Sequence, residues 1–421
     1  MSEWKEVYLN EAFHIGSGLS KPAQDFGSGF PFLSFKEIFN NFFVPENLPE
    51  LVESTGEERD KCSVKKGDVF LTRTSETVKE LGMSCIALKD YENATFNGFT
   101  KRLRPNGSFE ISPEYAGYYF RSSKFRSEVT SLSSASTRAS LNNEMIGRLK
   151  IVLPSKKEQE EIAAILICLD RKISNLRQQN ETLESIAQTL FKHWFVDFEF
   201  PNEDGKPYKS SGGTMVRSDL GDIPVGWAAL SLGEISTNHS ETHKFENKSE
   251  IIFVNTGDVL EGNFLHQNYS LVSTLPGQAK KRIKKHDILY SEIRPINRRF
   301  AYVNFSENLD NYVVSTKFMV IRSNDKILSR LLSLILTRNS MVQEFQITAE
   351  SRSGTFPQIT FESISRFPVV IPQITTQEKL MKVITPLLEK REFNTKQIQT
   401  LTQTRDRLLP KLMSGQLRIP E

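Results

Sequence analysis

Residues 151–160 read IVLPSKKEQE, and residues 369–378 read VVIPQITTQE. Each stretch is a short apolar run followed by a proline and, at the same spacing, a Gln-Glu pair. The two copies are 218 residues apart, and the same offset relates residues 137–190 to residues 355–408 without a gap. Self-similarity at a fixed offset is the mark of a duplicated architecture. The sequence therefore predicts two related halves, each a folded domain followed by a helix.

The match extends toward the start of each half. Residues 66–71 (KGDVFL) correspond to residues 285–290 (KHDILY), and residues 32–34 (FLS) correspond to residues 253–255 (FVN). These parts are rich in β-branched and aromatic residues, with frequent Gly, Pro, Asn and Ser between them. Such composition is typical of strands joined by loops. We expect an α+β protein with two mixed α/β domains.

After Pro154 the pattern changes to apolar residues at alternating steps of four and three, which is the heptad pattern of a coiled-coil helix. The second copy keeps this frame but is interrupted by Arg391, Asn394 and Arg405. Asn180 occupies a position where a buried amide fixes helix register. The residues predicted to form the apolar seam are Leu166, Leu169, Ile173, Leu176, Asn180, Leu183, Leu190, Ile384, Leu387, Ile398, Leu401 and Leu408.

Two seams in one chain predict an antiparallel coiled coil within the chain, with the halves related by a pseudo-twofold axis. The alternative is that the helices are plain scaffold or pair with other chains. The predicted organisation is a first mixed domain, a central helix, a polar and Gly-rich linker, a second mixed domain and a C-terminal helix. Their bounds are 1–153, 154–200, 201–222, 223–371 and 372–415.

Composition is that of a globular protein of more than one domain, with 421 residues, 38% of them hydrophobic and 25% charged. The net charge of +3 is compatible with a localised basic surface. The longest apolar run, residues 162–169, is too short to cross a bilayer, and residues 1–6 lack a hydrophobic signal region. Three widely spaced cysteines fit reduced thiols. We therefore expect a cytoplasmic protein.

Several segments together resemble the specificity subunits of type I restriction–modification systems. The resemblance covers the whole chain, although Thr214 stands where many relatives carry an acidic residue. It is carried by residues 190–198 (LFKHWFVDF), 202–213 (NEDGKPYKSSGG), 220–227 (LGDIPVGW) and 408–415 (LLPKLMSG), and by the two Pro-x-x-x-x-Gln-Glu helix starts at Pro154 and Pro372.

The resemblance implies a non-catalytic, DNA-binding subunit of a DNA methylation complex. Residues 1–153 and 223–371 would be target recognition domains, each reading one half of a gapped DNA site. The helices would set the gap and dock two modification subunits that methylate adenine with S-adenosylmethionine. Restriction motor–nuclease subunits that use ATP and Mg²⁺ could join the complex. No cofactor, metal or membrane is implied for this chain.

Cations on phosphates supply affinity for DNA, and side chains at base edges supply specificity. Arg73 and Arg294 end equivalent strands in the two halves and are the foremost candidates. Other basic or polar residues lie in loops of the same domains, and for each of them a solvated surface position is the competing interpretation. The candidate DNA contacts are Arg73, Thr74, Lys101, Arg102, Arg138, Lys280, Lys281, Arg294, Arg298, Arg299 and Arg352.

Motifs for catalysis were sought and not found in the sequence. There is no phosphate-binding loop of the Gly-x-x-x-x-Gly-Lys-Ser/Thr type, and no Asp/Asn-Pro-Pro-aromatic motif of an amino-methyltransferase. His239 and His243 are four residues apart, but a third metal ligand is not apparent. Two alternatives to a DNA-reading subunit remain open: a self-contained methyltransferase or nuclease, and a coiled-coil scaffold without DNA function. The first would need a cofactor or metal motif, and the second would not need large domains.

Overall fold

The computed structural model describes residues 4–74, 80–133, 140–352 and 355–419. The chain forms two compact units. Unit 1 comprises Met1–Leu176 and Gln397–Glu421, and unit 2 comprises Arg177–Lys396. The predicted α+β class is confirmed, with two long helices besides the mixed domains.

Unit 1 begins with short strands and helices and ends in a long helix. Its strands are β1 (Lys5–Tyr8), β2 (Phe13–Ser17), β3 (Phe26–Leu33), β4 (Glu50–Val52), β5 (Val69–Thr72), β6 (Ser84–Ile86), β7 (Thr95–Phe96), β8 (Thr100–Pro105) and β9 (Lys150–Leu153). Its helices are α1 (Leu9–Ala12), α2 (Phe35–Asn40), α3 (Gly56–Lys61), α4 (Pro113–Tyr119), α5 (Ser123–Ser133), α6 (Asn143–Gly147) and the first part of α7 (Lys156–Phe191).

Local sequence explains where several of these helices begin. The Ser34 hydroxyl accepts a hydrogen bond from the Glu37 backbone at the start of α2. Thr55 and Glu58 form a reciprocal capping box at the start of α3. Ser112 caps α4, whose first residue is Pro113, a position that needs no backbone donor. These caps satisfy donors that the first helical turn leaves unpaired.

Two sheets and a strand pair make up the mixed domain of unit 1. One sheet has the order β2-β8-β5-β6, the other has the order β4-β3-β7, and β1 pairs with β9. β3 and β7 run parallel, whereas the neighbours in the four-stranded sheet run antiparallel. The core beneath the four-stranded sheet is aromatic, with Tyr115, Tyr119, Phe120 and Phe125 fully buried.

Unit 2 repeats this sequence of elements. Its strands are β10 (Met215–Ser218), β11 (Gly221–Pro224), β12 (Trp227–Ser231), β13 (Ser236–His239), β14 (Glu250–Val254), β15 (Val259–Leu260), β16 (Asn263–Phe264), β17 (Tyr269–Leu271), β18 (Ala279–Lys281), β19 (Ile288–Ser291), β20 (Phe300–Tyr302), β21 (Tyr312–Ser315), β22 (Phe318–Ser323) and β23 (Pro368–Pro372). Its helices are the last part of α7, α8 (Leu232–Ile235), α9 (Ser329–Thr337), α10 (Asn339–Arg352), α11 (Phe361–Ser365) and most of α12 (Ile374–Met413).

The strand orders of unit 2 match those of unit 1. β13-β22-β19-β20 corresponds to the four-stranded sheet, β12 pairs with β23 as β1 does with β9, and β14 and β21 run parallel as β3 and β7 do. The second sheet of unit 2 is extended by one strand, in the order β17-β14-β21-β18. The duplication predicted from sequence is therefore present in the topology.

A buried ion pair occurs at the same place in both units. In unit 1, Arg104 donates two hydrogen bonds to Asp68, at 2.7 and 2.6 Å, and Asp68 also accepts from the Lys65 backbone. In unit 2, Arg322 donates to Asp287 at 2.7 and 3.0 Å, and Asp287 accepts from the Lys284 backbone. These hydrogen bonds raise the pKa of both arginines. The pair explains why an aspartate recurs immediately before the two central strands, β5 and β19.

A buried glutamine joins each domain to its long helix. The Gln159 side chain accepts from the Ser112 backbone and donates to the carbonyl oxygens of Glu110 and Pro154, at 2.9–3.0 Å. The Gln377 side chain makes the same three bonds, to Leu328, Lys326 and Pro372, at 2.8–2.9 Å. The glutamine of the repeated Pro-x-x-x-x-Gln-Glu motif is therefore a structural residue.

Inside each unit, segments of the two long helices lie side by side and run in opposite directions. In unit 1, Arg405 of α12 donates to Asp170 of α7 at 2.7 Å, and Leu412 packs in the core that contains Leu166. In unit 2, Asn180 donates to Thr395 at 3.2 Å, and Arg391 pairs with Glu184 at 3.2 Å. All twelve residues of the predicted seam are buried or partly buried: Leu166, Leu169, Ile173, Leu176, Asn180, Leu183, Leu190, Ile384, Leu387, Ile398, Leu401 and Leu408.

The segment predicted as a linker, residues 201–222, contains more structure than its composition suggested. Strands β10 and β11 form a hairpin near its end, and Tyr208 stacks on Phe200 with ring centroids 4.6 Å apart. Gly221 has φ of +97°, a conformation that its lack of a Cβ permits at the hairpin turn. In the part of the chain that the structure describes, no helix has the length and apolar character to span a bilayer.

Replacing Gln377 with Ala should destabilise the protein, because three backbone groups lose their partner at once. Each buried polar group left unpaired costs about 1–3 kcal/mol. We expect Gln377→Ala and Gln159→Ala to lower the thermal unfolding midpoint clearly, measured by circular dichroism. Gln178→Ala removes an exposed glutamine of α7 and serves as the control. Equal midpoints for all three variants would contradict this role.

Candidate nucleic-acid interface

Three segments of unit 1 meet where strand β5 ends. The Arg73 backbone N–H donates to the Phe99 carbonyl oxygen at 3.0 Å, and the Leu141 N–H donates to the Arg73 carbonyl oxygen at 2.8 Å. Thr74 and Ser140 form the next bridge. We call this meeting point of residues 72–74, 99–100 and 140–141 the junction. It fixes the backbone of residue 73 from both sides.

Unit 2 has a junction with the same backbone hydrogen bonds. The Glu292 N–H donates to the Lys317 carbonyl oxygen at 3.0 Å, and the Ile359 N–H donates to the Glu292 carbonyl oxygen at 2.8 Å. Ile293 and Gln358 form the next bridge. The counterpart of Arg73 is therefore Glu292. Arg294, which the sequence placed as the equivalent strand end, lies two residues further along the chain.

Arg73 is half-buried and has no hydrogen-bond partner for its side chain among the described residues. Its Nε atom is buried, and no described residue accepts a hydrogen bond from its guanidinium group. A buried donor without an acceptor costs about 1–3 kcal/mol. Thr74 follows it and is also partly buried. Among the described residues, the junction of unit 1 therefore holds a cation whose buried Nε atom has no acceptor.

Lys101 and Arg102, predicted as DNA contacts, have partners inside unit 1. Lys101 is 7% exposed and donates to the Ser17 hydroxyl at 2.8 Å. Burial, and then the charge of Arg73, lower its pKa. Arg102 donates to the carbonyl oxygens of Lys61 and Ser63. Both side chains support the sheet in this conformation. Arg138 lies outside the described residues.

In unit 2, the turn after β19 presents basic residues in an unusual backbone conformation. Arg294 and Arg298 have φ of +43° and +53°, values that are costly for residues with a Cβ. The turn between them is tied to α10, because the Ile296 N–H donates to the Gln346 side chain and Arg298 donates to Asn339. Arg294 is exposed, and none of the described residues bonds its side chain.

The other predicted contacts of unit 2 divide into exposed and internal side chains. Lys280 is exposed, whereas Lys281, the next residue of β18, is 8% exposed and donates to the Phe318 carbonyl oxygen at 2.6 Å. Arg299 donates to the carbonyl oxygens of Gly257 and Val259. Arg352 is exposed and donates only a 3.3 Å bond to Thr360.

Sequence reasoning missed the residues that flank position 73 and its counterpart. Phe99 is 60% exposed at the junction of unit 1, and Lys317 occupies the equivalent place in unit 2. Glu292 was not among the predicted contacts. Extending the repeat offset through the loop after β5 would have aligned Glu292 with Arg73.

The described residues contain no group of three or more His, Cys, Asp or Glu side chains able to hold a metal ion. His243 is 5% exposed, and its Nε2 atom lies 2.9 Å from the Asp310 carbonyl oxygen. His239 instead bonds the Thr237 hydroxyl. The geometry gives these two histidines separate local partners.

Comparison with known proteins places this geometry in a family. The profile described as "Type I restriction modification DNA specificity domain" matches residues 1–185 and 224–403, one match for each half of the duplication. The chain belongs to the family of type I restriction–modification specificity subunits. It is accordingly a non-catalytic subunit that recognises DNA sequence. The resemblance described from the sequence is confirmed.

Individual relatives agree with the family. The HindI specificity subunit of Haemophilus influenzae is 54% identical over 178 residues, which are 42% of this chain and 38% of that subunit. The MjaIX specificity subunit of Methanocaldococcus jannaschii is 26% identical over all of this chain and 94% of its own length. The crystal structure of a type I S subunit from M. genitalium superposes with a TM-score of 0.63 at 14% identity, covering 97% of this chain and 96% of that one. This last likeness shows a shared fold.

Two arginines of unit 1 should respond oppositely to the same substitution. Arg104→Met leaves the buried Asp68 carboxylate without its cation and should cost about 3–5 kcal/mol of stability. Arg73→Met removes an unpartnered cation and should leave stability within about 0.5 kcal/mol of the wild type, or above it. Urea denaturation followed by fluorescence measures both. A large loss for Arg73→Met would show that the side chain has a structural partner.

Proposed function

We propose that each unit reads one half of a bipartite, gapped DNA site through its junction and the neighbouring loops. The single observation that carries this proposal is the Arg73 side chain, which has no hydrogen-bond partner among the described residues. Thr74, Lys280, Arg294 and Arg352 are placed to add contacts to phosphates or base edges, because each lies at or near the same loops. Lys101, Arg102, Lys281 and Arg299 support those loops from inside.

The duplication favours two half-sites over one. The two units share the strand order, the buried Asp–Arg pair and the backbone hydrogen bonds of the junction. Their exposed loop residues differ in charge and size. Two domains with one frame and different surface side chains are suited to reading two different short sequences. A bipartite, asymmetric target follows from that arrangement.

We further propose that α7 and α12 form an antiparallel coiled coil that sets the distance between the half-sites. The burial of the predicted seam and the antiparallel contacts within each unit support it. α7 has 36 residues, or about 54 Å at ~1.5 Å per residue. A separation of that order corresponds to roughly one to two turns of DNA, at ~34–36 Å per turn.

The proposed partners follow from the family. Two adenine methyltransferase subunits would dock on the conserved helices, and restriction motor–nuclease subunits would join them. S-adenosylmethionine, ATP and Mg²⁺ would be bound by those subunits, and this chain would hold none of them. The complex would act on DNA in the cytoplasm.

The test is the methylation pattern that this chain directs. The full chain is co-expressed with its modification subunit in a host lacking adenine methylation, and the DNA is sequenced by a single-molecule method that detects N6-methyladenine. We expect one gapped motif with two unlike half-sites. The modification subunit without this chain should leave the DNA unmethylated at that motif. A continuous motif, or methylation independent of this chain, would refute the proposal.

Arg294→Ala should weaken binding to the motif in a salt-dependent way. Loss of one phosphate contact lowers the slope of log affinity against log salt by about 0.9. Fluorescence anisotropy of the complex with a labelled duplex, between 50 and 250 mM salt, measures affinity and slope. Arg217→Ala, which removes an exposed arginine of β10 outside the junction, is the matched control. An affinity and slope equal to those of the wild type would remove Arg294 from the interface.

A further inference from the structure

The residues that form the same internal hydrogen bonds in both units are of the same type. The Asp–Arg pair and the buried glutamine recur unchanged, and so do the backbone bonds of the junction. At the centre of that unchanged frame, one unit has Arg73 and the other has Glu292. A frame that fixes the backbone but reverses the charge of the side chain is not serving internal packing.

Neither side chain forms a hydrogen bond with a described residue. The Nε atom of Arg73 is buried without an acceptor, and Glu292 is partly buried with no hydrogen bond to its carboxylate from any described residue. Burial raises the pKa of Glu292, while the charges of Lys281 and Lys317 act in the opposite direction. Among the described residues, both groups lack the hydrogen-bond partner that a buried charge requires. A ligand can supply it.

The chemistry of base edges fits these two charges. Arginine donates two hydrogen bonds to the N7 and O6 acceptors of guanine, whereas a carboxylate accepts from an exocyclic amino group in the major groove. DNA phosphates repel a carboxylate, so glutamate is tolerated at an interface only where it meets a donor and where nearby cations offset its charge. Lys281 and Lys317 provide such cations beside Glu292.

We propose that positions 73 and 292 are equivalent base-reading positions of opposite hydrogen-bonding character. Arg73 specifies a guanine in one half-site. Glu292 specifies, in the other half-site, a base that presents an exocyclic amino group, either N4 of cytosine or N6 of adenine. This inference rests on the proposed bipartite reading and assigns one position of each half-site to a named side chain.

The variants Arg73→Gln and Glu292→Gln test the assignment in the complete complex with the modification subunit. Glutamine pairs with adenine through one donor and one acceptor. Each variant should relax or change one base of one half-site, leaving the other half-site as in the wild type. Competition binding against single-base variants of the motif should show a loss of roughly 5- to 150-fold in discrimination at that position only. The identity of the base that the Glu292 variant no longer discriminates, read from the wild-type motif, shows whether Glu292 binds cytosine or adenine.

A double-mutant cycle identifies the contact of Arg73. Replacing the assigned guanine by 7-deazaguanine removes the N7 acceptor, so the wild-type complex should lose affinity. The Arg73→Gln complex should lose little additional affinity on the same replacement, because the hydrogen bond from Arg73 to N7 is already absent. Glu307→Gln makes the same chemical change at an exposed residue outside the junction and should leave the motif unchanged.

Three results are distinguishable. If the wild-type complex methylates no bipartite motif, the proposed function itself fails. If the wild type reads a bipartite motif but both glutamine variants keep its base preferences, or lose affinity equally at every position, the assignment of positions 73 and 292 is wrong. If a glutamine variant unfolds at a clearly lower temperature than the wild type, Arg73→Lys or Glu292→Asp replaces it. These variants keep the charge of the side chain but change its hydrogen-bonding geometry. They should reduce discrimination between bases more than they reduce overall affinity for the motif.

Discussion

The buried glutamine side chain at the start of each long helix is the constraint on which the architecture depends. A single amide satisfies two carbonyl oxygens and one N–H, and in doing so it fixes the strand that precedes the helix and the loop that follows the four-stranded sheet. Without it one N–H and two carbonyl oxygens in each unit would lose this hydrogen-bond partner. The same bonds in both units give each domain the same attachment to its helix, so any difference between the units must lie beyond that attachment.

A second constraint follows from what a sequence reader requires. The frame must be rigid, because hydrogen bonds to base edges tolerate little displacement, and the reading side chains must differ between domains. In this structure, different residues provide the rigid frame and the side chains that differ between the domains. The Asp68–Arg104 and Asp287–Arg322 pairs, the caps and the junction bonds are shared, whereas the charges at positions 73 and 292 are opposite. The shared groups are hydrogen-bonded within their units, whereas the side chains at positions 73 and 292 form no hydrogen bond with a described residue.

The sequence predicted the duplication, the mixed domains, the long helices and the buried seam, because these depend on periodic apolar residues and on a repeat that can be counted. It did not separate supporting cations from exposed ones. Lys280 and Lys281 are neighbours of like charge, yet alternation along β18 exposes the first and buries the second. Arg104 and Asp68 are 36 residues apart, and Arg121 donates to four carbonyl oxygens from two segments. Partners of that kind arise only when the chain is folded.

Unit 1 illustrates why residue type alone is a poor guide to a DNA contact. Arg73, Arg102, Arg104 and Arg121 are the same residue type, but three of them are bound to a carboxylate or to backbone carbonyl oxygens, and burial lowers the pKa of Arg121 to about 10. Only the first has a buried nitrogen and no described acceptor for any of its donors. An unpaired buried donor costs stability in the free protein, and under the proposed function an acceptor on DNA offsets that cost. The proposed reading position thus differs from the other three arginines in its hydrogen bonds and not in its residue type.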